Sequence, residues 1–165
     1  FSSRRRHTRY ISVTGVQTCA LPICDVCPYC ARENPYMIHI VVVDDEADTH
    51  LLYKLKFKKF FASLGDLKLV SFLSAQECLA YVKNPDTPHV DLILSDINMP
   101  EMDGFELLRA VRTFNKDVLF YVVSAYESSE FRSKAEELGA QRFLSKPVDF
   151  NSLGEALKAD LNLSF

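Results

Sequence analysis

The 165-residue chain has only five glycines and no apolar run close to the roughly 18 to 20 residues that a membrane-crossing helix needs. Hydrophobic residues make up 48% of the chain and charged residues 25%, which is typical of a globular protein. This composition excludes a disordered or fibrous chain. The length predicts about one domain, and we expect no association with a membrane.

Acidic residues are missing from the start of the chain, where the first one is Asp25. Residues 1–36 contain five arginines and two acidic residues, a net charge of +3. Residues 37–165 contain the other 14 basic and 20 acidic residues, a net charge of -6. Two kinds of sequence therefore join near Met37. The acidic part offers no basic recognition helix, so we expect no direct binding to nucleic acid.

The N-terminal segment lacks a sustained period of 2 or 3.6 residues. Its string SSRRRHTRYISVTGVQTCALPI resembles the translation of sequencing-adapter DNA, a resemblance that covers residues 1–24. We therefore interpret residues 1–36 as a non-native or disordered extension. An organellar transit peptide, rich in arginine and serine, is the alternative. A secretory signal is disfavoured because Thr14, Gly15 and Gln17 interrupt the only candidate apolar stretch.

Four of the five cysteines also lie in this segment, namely Cys19, Cys24, Cys27 and Cys30. Their spacing is compatible with an iron–sulfur or a zinc site. However, a structural zinc site places its ligand pairs on two separated turns, whereas these cysteines form a single run. We expect no metal there. Cys78 lies on a predicted helix, where it is expected to be a small buried hydrophobe. His39, His50 and His89 have no metal-like spacing and are assigned no role.

The remaining residues alternate strand and helix patterns. Apolar runs over residues 38–43, 90–94 and 118–123 predict strands of a parallel sheet that helices cover on both faces. The shorter segments 68–73 and 141–144 predict outer strands. The sequence therefore predicts a doubly wound α/β domain, with five strands that each precede a helix.

Helix signals follow each predicted strand. The first helix, 47–64, carries Leu51, Leu52, Leu55 and Phe60 beside a lysine-rich face over residues 54–59, which we expect to be solvated. Ser74-x-x-Glu77 predicts a capping box for the second helix, and Asp149 predicts the cap of the fifth. The third and fourth helices are predicted at 105–113 and 129–138, and Gly139 is expected to end the fourth.

Polar side chains follow four of the five strands. Asp44 and Asp45 follow the first strand, Asp96 the third, Ser124 the fourth and Lys146 the fifth. Right-handed crossovers bring all strand carboxyl ends to one edge of a parallel sheet, which is where open α/β sheets bind ligands. We therefore expect these side chains to meet at that edge.

The charges at this edge predict its chemistry. Three carboxylates repel one another, so protons or a cation must be present, and their hard oxygen ligands suit Mg²⁺. A lysine and a serine aimed at the same point suit a phosphoryl group. One carboxylate can then act as the nucleophile of a phosphoryl transfer while the others hold the metal.

Four segments resemble the signatures of response-regulator receiver domains of two-component signalling, namely VVVDDE, LILSDINMPEMDGFELL, VVSA and FLSKP. The resemblance covers residues 37–162 and implies the flavodoxin-like receiver fold. It implies that Asp96 is the phosphoacceptor. It also implies Mg²⁺ binding by Asp45 directly, by Asp44 through water and by the backbone carbonyl of Asn98.

The resemblance assigns the switch as well. Ser124 would contact the phosphoryl group, Lys146 would pair with it, and the bond from Lys146 to Pro147 would be cis. Phe143 falls at the position of the aromatic residue that turns inward on phosphorylation, although it could also be a core residue that does not move. Phosphorylation adds charge and strong acceptor oxygens at Asp96. This change would shift Ser124 and Phe143 from one of their two arrangements to the other.

The resemblance implies a cytoplasmic signalling protein that is not an enzyme. Its partners would be a sensor histidine kinase or histidine phosphotransfer protein and a downstream output protein, or a C-terminal output domain missing from the sequence. Two alternatives stay open. One is a receiver-like interaction module that phosphate does not regulate. The other is an Asp-nucleophile phosphatase of the haloacid dehalogenase type, which would require Asp-x-Asp after the first strand, where this chain has Asp44-Asp45-Glu46.

Overall fold

A computed structural model describes residues 37–62 and 66–161, while residues 1–36, 63–65 and 162–165 lie outside this description. The chain divides into two units, Phe1–Pro35 and Tyr36–Phe165, and the second contains every described residue. The predictions for the N-terminal extension and its four cysteines concern residues outside the described part. Within the described ranges, no helix is both long and apolar enough to cross a lipid bilayer.

Five strands alternate with five helices. They are β1 (Ile38–Val43), α1 (Ala47–Phe61), β2 (Leu67–Phe72), α2 (Ala75–Lys83), β3 (Leu92–Asp96), α3 (Gly104–Arg112), β4 (Leu119–Ser124), α4 (Ser129–Glu137), β5 (Arg142–Ser145) and α5 (Phe150–Asp160). The strands form one parallel sheet in the order β2-β1-β3-β4-β5. The chain places β2 on one side of β1 and then β3, β4 and β5 on the other side. Helices therefore cover both faces of the sheet. This confirms the predicted doubly wound α/β fold.

Two strands have the predicted length but begin and end later in the chain than the apolar runs that predict them. The third strand is predicted over residues 90–94, whereas β3 spans Leu92–Asp96, and β4 spans Leu119–Ser124 instead of 118–123. The backbone ladder does not depend on side-chain polarity, and Asp96 still pairs with Val123. Asp96 and Ser124 are therefore the last residues of strands and not the first residues of loops.

Buried side chains form two clusters, one on each face of the sheet. Because successive residues of a strand point to opposite faces, Val41 and Val43 of β1 join a cluster with α2 and α3, whereas Ile40 and Val42 join one with α1 and α5. Cys78 is fully buried in the first cluster, as predicted, and burial raises the pKa of its thiol to about 12.

The buried face of α1 consists of aromatic residues and not of the leucines that the sequence places on this helix. The buried residues are Tyr53, Phe57 and Phe61, which are spaced four apart, and the rings of Tyr53 and Phe57 stack at 5.6 Å. The leucine side chains of α1 are instead exposed, with 44–60% of their surface accessible to solvent in Leu51, Leu52 and Leu55. Aromatic side chains thus fill the space beneath this helix. The four lysines within residues 54–59 are exposed, as predicted.

Three predicted helix ends are present in the structure. Ser74 Oγ accepts a hydrogen bond from the backbone N–H of Glu77 at 3.3 Å, so this half of the predicted capping box is formed. The carboxylate of Asp149 caps α5 by accepting from two backbone N–H groups. Gly139 follows α4 with a φ of 84°, the left-handed conformation that favours glycine.

A buried imidazole links β1 to the segment before β3, at the amino end of the sheet. His39 is 3% exposed, and its Nδ1 lies 3.0 Å from the carbonyl oxygen of His89. Nδ1 must therefore carry the hydrogen, which leaves Nε2 to accept from the Tyr81 hydroxyl at 3.3 Å. Burial lowers the pKa of His39 and the Lys68 charge adds to this, against the opposing His89 carbonyl and Asp91 charge.

We expect the free energy of unfolding to fall as the pH decreases below about 6.5, in part because of His39. Its pKa is lower in the folded chain than the ordinary 6.5, so the unfolded chain takes up the proton first as the pH falls. This contribution is present above pH 6.5 and is lost as the pH falls toward the folded-state pKa. Urea denaturation of wild type and His39→Gln between about pH 7.5 and pH 5 measures it. Identical pH profiles for the two proteins would contradict this expectation.

Candidate functional site

The predicted polar side chains meet at the carboxyl edge of the sheet. Asp44 directly follows β1, Asp96 and Ser124 end β3 and β4, and Lys146 directly follows β5. These four strands are neighbours, while β2 lies at the outer edge next to β1. The crossover topology therefore places four side chains from distant parts of the chain around one point.

Three carboxylates lie close together at this point. One oxygen from each of Asp44, Asp45 and Asp96 lies within 4.8 Å of the other two. Asp44 is 2% exposed and Asp96 is 6% exposed, whereas Asp45 is exposed. This cluster of hard oxygen ligands, open on one side, could hold a divalent cation such as Mg²⁺.

Lys146 bridges two of these carboxylates. Its Nζ lies 2.9 Å from Asp44 Oδ2 and 3.1 Å from Asp96 Oδ2. Burial alone would lower the pKa of Lys146, but the hydrogen bonds and charges of the two aspartates outweigh burial and raise it. The ammonium therefore stays charged and neutralises part of the site. The bond from Lys146 to Pro147 is cis, as the resemblance implies.

Asp96 is held by the loop that follows it. The backbone N–H of Ile97 donates to Asp96 Oδ1 at 2.9 Å. Burial raises the pKa of Asp96, and the Asp44 charge adds to this, while Lys146 and the Ile97 N–H oppose it. The carboxylate is thus partly desolvated, which strengthens its interaction with any cation or donor that reaches it.

The start of α3 presses against the backbone of Asp96. A Cβ at Gly104 would lie 2.3 Å from the carbonyl oxygen of Asp96, so only glycine allows this approach. The Gly104 N–H donates to the carbonyl of Ile97 at 3.0 Å. Asp103 and Glu106 complete a reciprocal capping box at the same helix start. Together these contacts fix the end of β3 against α3.

Ser124 lies beside Asp96 at the end of the neighbouring strand. It is fully buried, and its Oγ accepts a hydrogen bond from the backbone N–H of Tyr126 at 3.0 Å. Since that bond uses the hydroxyl as an acceptor, its hydrogen remains available to donate. Ser124 can thus offer a hydrogen bond to an anionic group without giving up its own backbone contact.

The remaining predicted residues flank the site. Asn98 is exposed in the loop after β3, two residues past Asp96. Phe143 is half-buried against the core cluster beside α4, and the guanidinium of Arg132 lies 5.2 Å from its ring centre. Phe143 therefore lies between the core and the surface.

Two residues of the site were not predicted from the sequence. Gly104 belongs to the MDG string, but nothing in one sequence indicates which atom it approaches. His50, to which the sequence assigns no role, places Nε2 2.6 Å from the backbone carbonyl oxygen of Asp44. An imidazole on the first turns of a surface helix is unremarkable, so the sequence carries no signal for this contact.

The fold and the site define a class of signalling protein. The family model of the response regulator receiver domain matches residues 40–158, and the chain belongs to this family. A probable chemotaxis protein CheY of Rhizobium etli is 30% identical over 124 residues, which cover 74% of this chain and 91% of that protein. Sporulation initiation phosphotransferase F of Bacillus subtilis is 25% identical over 128 residues, which cover 75% of this chain and 94% of that protein.

Solved structures share the same fold. Chemotaxis protein CheY4 of Vibrio cholerae matches with a TM-score of 0.62 at 26% identity, over 74% of this chain and 98% of that one. The receiver domain of the Francisella response regulator 1452 matches with a TM-score of 0.66 at 23% identity, over 76% of this chain and 97% of that one. This second likeness concerns the fold alone.

Other relatives are much longer than this chain. The match to hybrid signal transduction histidine kinase D of Dictyostelium discoideum is 32% identical but spans 8% of that protein. The match to the transcriptional regulatory protein ZraR of Klebsiella oxytoca is 43% identical over 63 residues and spans 14% of that protein. Receiver domains thus occur within several kinds of signalling protein, and the family alone does not specify an output.

Proposed function

We propose that this receiver domain accepts a phosphoryl group on Asp96 from a phosphohistidine of a sensor histidine kinase or histidine phosphotransfer protein. The observation that carries the proposal is the bridging position of Lys146, whose Nζ contacts both Asp44 and Asp96. An ammonium fixed between a nucleophile and a second carboxylate is placed to neutralise an incoming phosphoryl oxygen. A structural ion pair would need only one of the two aspartates.

Mg²⁺ fits the oxygen ligands beside this ammonium. Asp44, Asp45 and Asp96 would hold it, with the backbone carbonyl of Asn98 as a further ligand. The donor set contains only oxygen atoms, which Mg²⁺ prefers. When bound, the ion supplies charge neutralisation for the phosphoryl oxygens.

The transfer itself requires little covalent chemistry from the protein. A carboxylate oxygen of Asp96 attacks the phosphorus of the donor, the phosphorus–nitrogen bond breaks, and the departing imidazole nitrogen takes up a proton from solvent water. Ser124 donates its hydroxyl hydrogen to a phosphoryl oxygen while Lys146 pairs with another. Both residues are held by strand ends, so they need no large movement to reach the group.

The acyl phosphate would then act as a switch. A phosphoryl group adds roughly -1.5 to -2 charge units next to Ser124. If the Ser124 hydroxyl turns toward it, Phe143 can move into the space that Ser124 leaves, which would change the surface formed by α4, β5 and α5. An output protein or output domain would read that surface.

Incubation of the full chain with Mg²⁺ and a small acyl-phosphate or phosphoramidate donor, followed by intact-mass measurement, tests the proposal. We expect one added phosphoryl group with Mg²⁺ and none when a chelator removes it. Wild-type protein that gains no mass would favour the alternative of an interaction module without phosphate control. Continuous release of phosphate from an unrelated phosphomonoester would instead favour a phosphatase.

A further inference from the structure

His50 holds the backbone carbonyl of Asp44, an atom that the carboxylates of the site do not contact. Four polar atoms of Asp44 have partners: its N–H donates to Phe72 O at 3.2 Å, Oδ1 accepts from the Glu46 N–H at 3.0 Å, and Oδ2 accepts from Lys146 at 2.9 Å. The fourth is the carbonyl oxygen, which accepts from His50 Nε2 at 2.6 Å. A carbonyl can only accept, so Nε2 carries the hydrogen.

The peptide unit held by His50 is the one that joins Asp44 to Asp45. Because a peptide is planar, fixing the Asp44 carbonyl also fixes the direction in which the chain enters Asp45. Asp45 is exposed, so surrounding side chains constrain it less than they constrain the buried Asp44. The backbone orientation set by His50 therefore contributes directly to where the Asp45 carboxylate lies.

The other hydrogen bonds between this loop and α1 do not involve the Asp44 carbonyl: Thr49 Oγ1 donates to Glu46 Oε2 at 3.2 Å. Glu46 is the N-cap of α1, and its side chain makes no capping hydrogen bond. A cation bound by the Asp44 carboxylate would compete with Glu46 and Lys146 for its oxygens, whereas the contact from His50 to the backbone would be unaffected. His50 thus ties the Asp44 carbonyl to α1 through a contact that involves neither Asp44 nor Asp45 carboxylate oxygens.

We infer that His50 is a positioning residue for the divalent cation: it orients the Asp44–Asp45 peptide so that both carboxylates face Asp96. This inference rests on the proposed Mg²⁺ site. Contacts to groups that orient metal ligands typically change metal affinity by 10- to 100-fold when removed. His50 makes a single backbone contact, so we expect its removal to weaken Mg²⁺ affinity by an amount at the lower end of this range, about tenfold.

Two variants and a control separate positioning from folding. His50→Leu keeps the side-chain volume but removes the donor, whereas His50→Gln supplies an amide N–H at a similar distance from the backbone. His89→Ala removes an imidazole at the amino end of the sheet. Isothermal titration of each full-length protein with MgCl₂ gives the Kd, and thermal denaturation verifies that each is folded.

We expect the Mg²⁺ Kd to rise about tenfold in His50→Leu, and to stay within about twofold of wild type in His50→Gln and His89→Ala. At saturating Mg²⁺, the phosphorylation rate of His50→Leu should return to near the wild-type rate, because Asp96 lies on another element. A Kd for His50→Leu equal to wild type overturns the inference and leaves the proposed function intact, and so does a His50→Gln protein tenfold weaker than wild type. Wild-type protein that does not bind Mg²⁺ overturns both.

Discussion

Replacement of Asp96 by asparagine is expected to abolish phosphoryl uptake by the chain. The substitution keeps the side-chain shape and an oxygen that can accept from the Ile97 N–H, a bond of 2.9 Å in the native protein. It removes the carboxylate that we propose as the nucleophile and one of the three negative charges of the site. The intact mass after incubation with Mg²⁺ and a phosphodonor should stay that of the unmodified protein.

A second aspartate near the same loop provides the control. Asp103 caps α3 through a hydrogen bond of 2.7 Å from the Glu106 N–H, and asparagine caps helices about as well as aspartate. Asp103→Asn should therefore fold and gain phosphate like the wild type. Equal labelling of Asp96→Asn and wild type would refute the assignment of Asp96. Loss of labelling in Asp103→Asn would show that removing any carboxylate from this region has the same effect.

Substitution of Gly104 by alanine is expected to destabilise the domain by about 3 kcal/mol, the upper end of the usual cost of overpacking. The added Cβ would lie 2.3 Å from the carbonyl oxygen of Asp96 and 3.0 Å from Ile97 Cα. Both are backbone atoms, one in the last residue of the central strand β3 and one in the residue after it, whose N–H donates to the Val123 carbonyl of β4. Neither can therefore move without disturbing the sheet. Thermal denaturation should show a melting temperature lower by roughly 10 °C.

Gly154 is the matched control for this substitution. A Cβ there would also approach to 2.3 Å, but the atom it meets belongs to the half-buried ring of Phe60, which can rotate aside. Alanine also gains about 1 kcal/mol over glycine inside a helix such as α5. Gly154→Ala should consequently lose much less stability than Gly104→Ala. Equal losses would show that contact with a rigid backbone is not what makes Gly104 necessary.

The order of elements could be predicted from the sequence because each apolar run is short, β-branched and bounded by helix signals. The carboxyl ends of β3 and β4 could not be predicted, because backbone pairing continues through Asp96 and Ser124 after the apolar pattern ends. The buried face of α1 was also not predictable from leucine positions. Tyr53 and Phe57 fill more space than leucine does, and a single sequence does not show how large the gap is.

The members of the candidate site could be predicted because topology alone brings strand ends together. Their contacts could not: Lys146 lies 102 residues from Asp44 in the chain, and its choice of two carboxylates depends on the strand register. The contact between Gly104 and Asp96 depends on how the intervening loop returns. Spacing in a sequence therefore identifies which residues meet, whereas hydrogen bonds and close approaches require coordinates.

The ammonium of Lys146 also lowers the net negative charge that a divalent ion would meet at this site. With one internal cation against three carboxylates, the excess negative charge of the site is about two units instead of three, and the two buried carboxylates already have a counter-ion. The fold therefore supplies part of the positive charge that offsets their mutual repulsion. A divalent ion at this edge would add its charge to that of Lys146 and would not be the first cation of the site.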